Sequence, residues 1–340
     1  MALVRVHLLH DYADPALRGL DWQRLLAGGN TDTVFLTLEW QRAWWDVFGR
    51  GQLLLVFAEQ DRQVVACAPL FCDGGMVFFV GSGGSDYLDF VGGVNRPDVL
   101  PAMLAAAQEQ AAGFVGFRFY HVPDRAPTGR LLQQAAPTLG LVCYDEGELA
   151  APALALTPAT LHQASSKKSL VRHEQYFRRT GQLTVQHFSV GDAIRPQLEL
   201  FFDQHVARWA ATGYPSLFTD PRQRRFYVRL TEVAGAAGWL RFTRLDWNAQ
   251  PIAFHFGFCY RGSYLWYKPS FDIALARQSP GEVLIRQLLL AAGVEGAHTL
   301  DLGLGDEPFK HRFADHVEWV RTWGLYPATT AGQPVHSEGA

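Results

Sequence analysis

Apolar residues along this chain switch between two spacings, one that suits a helix packed on one face and one that suits a strand. Over residues 36–48, Leu38, Trp40, Trp44, Trp45 and Phe48 recur near the helical period, which predicts a helix. Strand-like apolar runs follow at 53–58, 64–71 and 76–80. Gly81-Ser82-Gly83-Gly84-Ser85 then predicts a loop leading into Asp86-Tyr87-Leu88-Asp89-Phe90. Helices over 98–112 and 129–139 and a strand over 114–121 complete an alternating pattern.

Residues 141–158 are rich in Ala, Pro and acids with weak periodicity, so a domain crossover is expected near residue 150. Beyond it, helices are predicted over 165–180, 193–212 and 221–235. Aromatic and β-branched runs at 240–245, 252–260 and 264–270 predict an antiparallel meander. An apolar helix over 282–292, a short strand over 299–304 and a last strand over 317–325 follow. The small, polar stretch 329–340 is expected to fray and carries no assigned role. The implied class is α/β with a mixed sheet, in two domains, 1–150 and 151–328, and no internal repeat is visible.

A length of 340 residues suffices for two cores, and 48% hydrophobic with 19% charged residues describes an ordinary globular protein. Thirty Lys and Arg against 33 Asp and Glu leave a net charge of -3, which offers no global attraction for nucleic acid or an anionic membrane. No uncharged apolar stretch approaches the ~18 residues of a membrane span, and the N-terminal residues lack a signal-peptide pattern, so a cytoplasmic protein without membrane insertion is expected. Cys67, Cys72, Cys143 and Cys259 show no Cys-x-x-Cys pairing and no clustered His, so free thiols and no metal are expected.

The junction Ser279-Pro280-Gly281 joins the meander to the apolar helix. Ser279 reads as an N-cap and Pro280 as the first helical residue, which leaves free backbone N–H groups at the positive end of the helix dipole. Such a start fits the phosphates of a group-transfer donor.

Three blocks in order carry a resemblance: Tyr267-Lys268-Pro269-Ser270-Phe271-Asp272, Ser279-Pro280-Gly281-Glu282-Val283-Leu284, and Leu300-Asp301-Leu302-Gly303-Leu304-Gly305-Asp306-Glu307-Pro308-Phe309-Lys310. The order of meander, turn, helix and further strand resembles the Gcn5-related N-acetyltransferase (GNAT) fold. Residues of about 165–315 resemble the acetyltransferase domain of the cellulose-biosynthesis (CelD/BcsL) family, which is similar to the FemAB peptidyltransferases. The Trp-containing stretch 35–48 and Gly84-Ser85-Asp86-Tyr87-Leu88-Asp89 resemble the same family, so the likeness covers most of the chain. It implies tandem GNAT-like domains, acyl-CoA as co-substrate, and direct transfer to a small-molecule or saccharide amine in a cleft between the halves. Arg277, Gln278, Ser279, Pro280, Gly281 and Glu282 then form the donor loop, although its spacing departs from the common (Gln/Arg)-x-x-Gly-x-(Gly/Ala). Two rivals stay open: a FemAB-like transferase using aminoacyl-tRNA, the one nucleic-acid partner in view, and a non-catalytic scaffold in polysaccharide assembly.

Amide formation from a thioester needs a base for the amine proton and an acid for the thiolate. His255 shares a strand face with Ala253 and Gly257 and either lines a cleft or sits hydrogen-bonded in the core. Asp272 either serves as base or caps the loop, and Asp301 is an acid forced onto a sheet face, with Lys310 as a plausible partner and Asp306 and Glu307 as rivals, either in a structural ion pair or in a contact with the acceptor substrate. Trp266 and Lys268 stand near the donor loop, where the cation meets a phosphate or carboxylate or merely snorkels. Asp86, Tyr87 and Asp89 offer two carboxylates and a phenol to a cationic amine, or simply bond their own turn. Lys168, Arg172 and Arg179 share a helix face that contacts a CoA phosphate or tRNA, or is only solvated.

Overall fold

The computed structural model describes residues 3–328, so the stretch 329–340 lies outside the described residues. Two compact units divide the chain: Ala150–Val317 forms the second, and residues up to Leu149 together with those from Glu318 form the first.

The first unit contains β1 (Arg5–Leu9), α1 (Trp22–Ala27), α2 (Leu38–Phe48), β2 (Gln52–Gln60), β3 (Gln63–Asp73), β4 (Met76–Phe79), β5 (Val91–Gly92), α3 (Val99–Gln110), β6 (Gly116–Pro123), α4 (Thr128–Ala135) and most of β7 (Leu141–Ala155). The second contains α5 (Pro158–Ser165), α6 (Lys168–Thr180), β8 (Leu183–Phe188), α7 (Gly191–Ile194), α8 (Leu198–Ala210), α9 (Pro221–Ala236), β9 (Leu240–Trp247), β10 (Gln250–Tyr260), β11 (Ser263–Phe271), α10 (Pro280–Val294), β12 (Thr299–Asp301) and α11 (Pro308–His311). The last strand, β13 (His316–Pro327), pairs antiparallel with β6, so the residues from Glu318 belong to the first unit and not to the second domain expected from the sequence.

Strand order in the first unit is β1-β2-β3-β4-β6-β13, and in the second β8-β9-β10-β11-β12 followed by the end of β7. Both sheets are mixed: β4 with β6 and β11 with β12 run parallel, and the other paired neighbours run antiparallel. Among the described residues four hairpins turn through two left-handed residues each, Asp61-Arg62, Gly74-Gly75, Asn248-Ala249 and Arg261-Gly262, the backbone that matches strand twist.

The two units repeat one order of elements. A three-strand meander, a helix and a strand parallel to the third strand occur as β2-β3-β4-α3-β6 and again as β9-β10-β11-α10-β12. No repeat shows in the sequence because each core is filled by different side chains. In the second unit, Val283, Leu284, Leu288 and Leu289 of α10 pack with Leu170 and Phe177 of α6 against Ala253, Tyr264 and Trp266. The other sheet face carries Phe242, Phe254 and Phe256, whose rings meet Phe201 of α8.

Residues 141–158, to which the weak periodicity assigns no element, hold the 15-residue β7, whose acids from Asp145 to Glu148 are exposed. The helix expected over 165–180 is broken at Ser166 and Lys167, and β1, β8 and α1 were missed.

Candidate functional site

The second unit opens where β11 leaves β12. Those strands pair over three positions, Ser263↔Thr299, Tyr264↔Leu300 and Leu265↔Asp301. From Lys268 to Phe271, β11 pairs with β10 on one side. The chain after β12 turns the other way, since the N–H of Leu302 bonds to the carbonyl of Pro152 and that of Gly305 to the carbonyl of Ala150. Two parallel strands thus separate just before the helix that follows the first of them.

A bulge lies at the same level. Phe256 faces Lys268 while Phe258 faces Leu265, so Trp266 and Tyr267 together oppose Gly257, and β11 carries one extra residue. The bulge decides which faces the strand's last residues take. Lys268 and Ser270 pair with Phe256 and Phe254, and Phe271 pairs with Ala253 on the α10 face. The Lys268 ammonium lies 4.1 Å from the ring centre of Tyr267.

His255 fills the bulge. Its Nε2 accepts the N–H of Tyr267 at 3.2 Å, its ring stacks on Trp266 with centres 5.2 Å apart, and its Nδ1 is buried without a partner. Burial lowers the imidazole to about 3, opposed more weakly by the Leu265 carbonyl, which favours the protonated ring, so the ring is neutral at physiological pH. A group so buried and so weakly basic does not suit the base role expected for it.

The donor loop differs from its predicted form. Asp272 accepts the N–H of Ala274 at 2.9 Å and caps a 3₁₀ turn, Ile273–Gln278, which the sequence did not reveal. Ser279 holds the expected N-cap position, its carbonyl accepting the N–H of Glu282, but it is left-handed, with φ of 57°, and its side chain makes no capping bond. Pro280 does occupy the first helical turn. At Gly281 an added Cβ would come 3.3 Å from Cδ1 of Phe271, so the strand end and the helix start are in close contact. Arg277 is exposed and has no acidic partner among the described residues, while the Gln278 Oε1 is buried without a partner.

Glu282 sits third in the helix, where a bare carboxylate would oppose a phosphate. It is tied to Arg312 at 2.7 Å and to His173 at 3.0 Å. Burial works against its ionisation, but the Arg312 bond and charge, with smaller help from Ser169 and His173, hold it below the usual carboxylate range. An exposed guanidinium near the helix start and an acid whose charge is paired with Arg312 are compatible with a diphosphate.

Asp301 and Lys310 shape the loop after β12. Asp301 Oδ1 accepts the N–H of Gly303 at 2.8 Å. Lys310 is 5% exposed, and its ammonium reaches the carbonyls of Leu304 at 2.6 Å and Gly303 at 3.3 Å and the Glu307 carboxylate at 2.8 Å. With three partners supplied by its own loop, Lys310 is a fastener, in place of the substrate contact expected.

In the first unit the corresponding gap is filled by the chain itself. β4 pairs with β6 at Met76↔Gly116 and Val77↔Phe117, and beyond that the N–H of Leu88 bonds to the carbonyl of His121. Phe90 packs between Phe79 and Phe119, with ring centres 5.0 and 5.4 Å away. Asp89 is fully buried and accepts from Thr31 at 2.6 Å, Thr128 at 2.8 Å and its neighbour's N–H at 2.8 Å. It is therefore a structural carboxylate and not an amine-binding one. Asp86 and Tyr87 are partly exposed, the phenol ring packing on Phe35 at 5.9 Å.

Sequence reasoning missed Arg208 and His205 on α8. The Arg208 guanidinium lies 4.3 Å over Phe271 and donates to the Pro269 carbonyl at 2.9 Å, and burial lowers its pKa. His205 is buried against Ser216 at 2.8 Å, and burial, then the charges of Arg208 and Lys268, bring it down to about 3. Neither belongs to a sequence motif, since their relation to β11 exists only once α8 packs on it. On α6, Lys168, Arg172 and Arg179 are exposed. No group of three or more His, Cys, Asp or Glu among the described residues is placed to hold a metal, and no described helix is long and apolar enough to cross a membrane.

Residues 164–311 match the family model described as an acetyltransferase (GNAT) domain. No curated protein matches the chain. Among solved structures it is similar to FemX, at 12% identity and a TM-score of 0.64 over 90% of this chain and 96% of that one. A tandem GNAT protein from the clavulanic acid biosynthesis pathway is similar at 12% identity and a TM-score of 0.55, covering 96% and 99%. The C-terminal domain of a lysylphosphatidylglycerol synthetase from Agrobacterium fabrum is similar at 16% identity and 0.51, covering 78% and 82%. The fold is accordingly mixed α/β with two GNAT-like domains in tandem.

Proposed function

We propose that the second unit is an acyl-CoA-dependent N-acyltransferase centre of the CelD/BcsL type. The observation that carries this is the separation of β11 from β12 directly before α10, with Phe271 packed on Gly281 at the helix start. A pantetheine arm suits the space between two parting strands, whose unpaired edge offers backbone groups to its amides. Arg277 and the start of α10 would meet the diphosphate. The amine nitrogen would attack the thioester carbon, forming the C–N bond as the C–S bond breaks. The thiolate leaves and is protonated, and the amine gives up its proton. Since His255, Asp272 and Asp301 each serve a structural hydrogen bond, that proton would pass to solvent or to a group on the acceptor. The acceptor would be a small-molecule or saccharide amine, and the setting the cytoplasm, where CoA is available.

Isothermal titration tests this. CoA should bind with one site per chain, because the first unit's gap is occupied by residues 88–90. Gly281→Leu should weaken binding by about 10-fold or more, roughly 1.4 kcal/mol. Absence of binding by CoA and acetyl-CoA overturns the proposal. Binding of charged tRNA with a steep salt dependence, and indifference to CoA, would replace it with the aminoacyl-tRNA reading.

A further inference from the structure

The neutral imidazole under the bulge has a shape that the surrounding chain accommodates at some cost. A Cβ at position 257 would stand 2.2 Å from His255 Cε1 and 2.6 Å from Nε2, so only glycine leaves room for the ring. The ring stacks on Trp266 at an interplanar angle of 17° and lies near-parallel to Tyr264 as well. At the bulge the Tyr267 N–H donates to His255 Nε2. One side chain thus ties the irregular stretch of β11 to β10.

The consequences run along β11. Without the extra residue, side-chain alternation would carry Lys268 and Phe271 to opposite faces from those they now occupy. Phe271 would then leave Gly281. We infer that His255 is a positioning residue: by accepting the Tyr267 N–H it holds the β11 bulge, and through Phe271 it sets the start of α10 for the acyl donor. This rests on the acyl-donor reading above. It also assigns His255 a part in the reaction that does not require it to exchange a proton. Burial keeps the ring uncharged at neutral pH, so its acceptor role does not switch over the working range.

Two amide variants separate reach from polarity. The side-chain oxygen of His255→Gln can approach the position of Nε2, whereas that of His255→Asn is one methylene short. Amide hydrogen exchange over 266–271 should be near wild type in the Gln variant and at least about 10-fold faster in the Asn variant, the fold-change expected for a lost hydrogen bond of about 1.4 kcal/mol. CoA affinity should fall about 10-fold or more in His255→Asn and recover in His255→Gln. Phe254→Leu, which loosens the opposite sheet face, is the stability control and should leave CoA affinity unchanged. Equal exchange in the two amide variants overturns the role of His255 at the bulge. Changed exchange with unchanged CoA affinity in His255→Asn overturns its link to the donor while sparing the acyl-CoA reading. If the wild type fails to bind CoA, that reading falls, and the link to the donor falls with it.

Discussion

Asp89 lets the plug of the first unit be tested by pH. Its carboxyl is fully buried, and burial, partly offset by the Thr31, Thr128 and Phe90 hydrogen bonds, raises it from the ordinary 3.8 to about 6. Raising a carboxyl by this much corresponds to about 3 kcal/mol between the protonated and ionised native forms. The sign follows from which state holds the proton. Between about pH 4 and 6 the native state retains it and the unfolded state has lost it, so stability falls as pH rises. The contribution is complete below the unfolded value and gone above about 6. Asp89→Asn keeps the shape and removes the titration, while the two threonine hydroxyls can rotate to meet the amide. Peptide-resolved hydrogen exchange over the first unit, at pH 4.5 and 7.5, should show the wild type losing about 2 kcal/mol relative to the variant. Titrations elsewhere cancel in the difference. Equal pH dependence in the two proteins would refute the assignment of a buried, proton-binding carboxylate.

Two further substitutions probe the second unit. Lys310→Met should cost about 2 to 4 kcal/mol in denaturant unfolding, because the Leu304 and Gly303 carbonyls lose a buried donor and Glu307 loses its cation; a stable variant with weakened acceptor binding would instead restore the substrate role. Glu174 joins Arg178, Arg286 and Gln287 between α6 and α10, so Glu174→Gln should lower thermal stability by about 2 to 3 kcal/mol. A loss below about 1 kcal/mol would mean that solvent screens the network.

The meander and α10 were legible because their signals are strong and local: aromatic strands, two-residue turns and a sustained apolar face. Asp145 to Glu148 carry no strand signal because their strand is imposed by pairing with distant residues, and local propensity yields to that pairing. The site was legible to the level of the segment and not of the atom. Proline at the head of α10 was read correctly, but the left-handed Ser279 leaves no mark in composition. One inserted residue at Trp266–Tyr267 leaves no mark either, although it decides where Lys268 and Phe271 point. His255 was noticed for its face among small residues. Its neighbour Gly257 was the better clue, since a glycine inside a strand signals a close approach.

The same topology is completed differently in the two units, and the difference lies in what joins the third strand to the helix. In the second unit the connection is the short stretch 272–279, which stays at the strand's end, and β11 pairs with β12 only over 263–265. In the first it is the long stretch 80–98, which folds back and spends Leu88 and Phe90 on the gap. Withdrawing that stretch would expose two buried apolar side chains, about 3 to 6 kcal/mol of burial, and strip Asp89 of its threonines. The glycine-rich loop within it is anchored too, by Trp40 on Ser85, Gln41 on the Val80 carbonyl and His121 on the Ser85 carbonyl. A loop whose composition resembles a binding loop is therefore one wall of a closed core. If the second unit binds an acyl donor as proposed, this closed core predicts one donor site per chain.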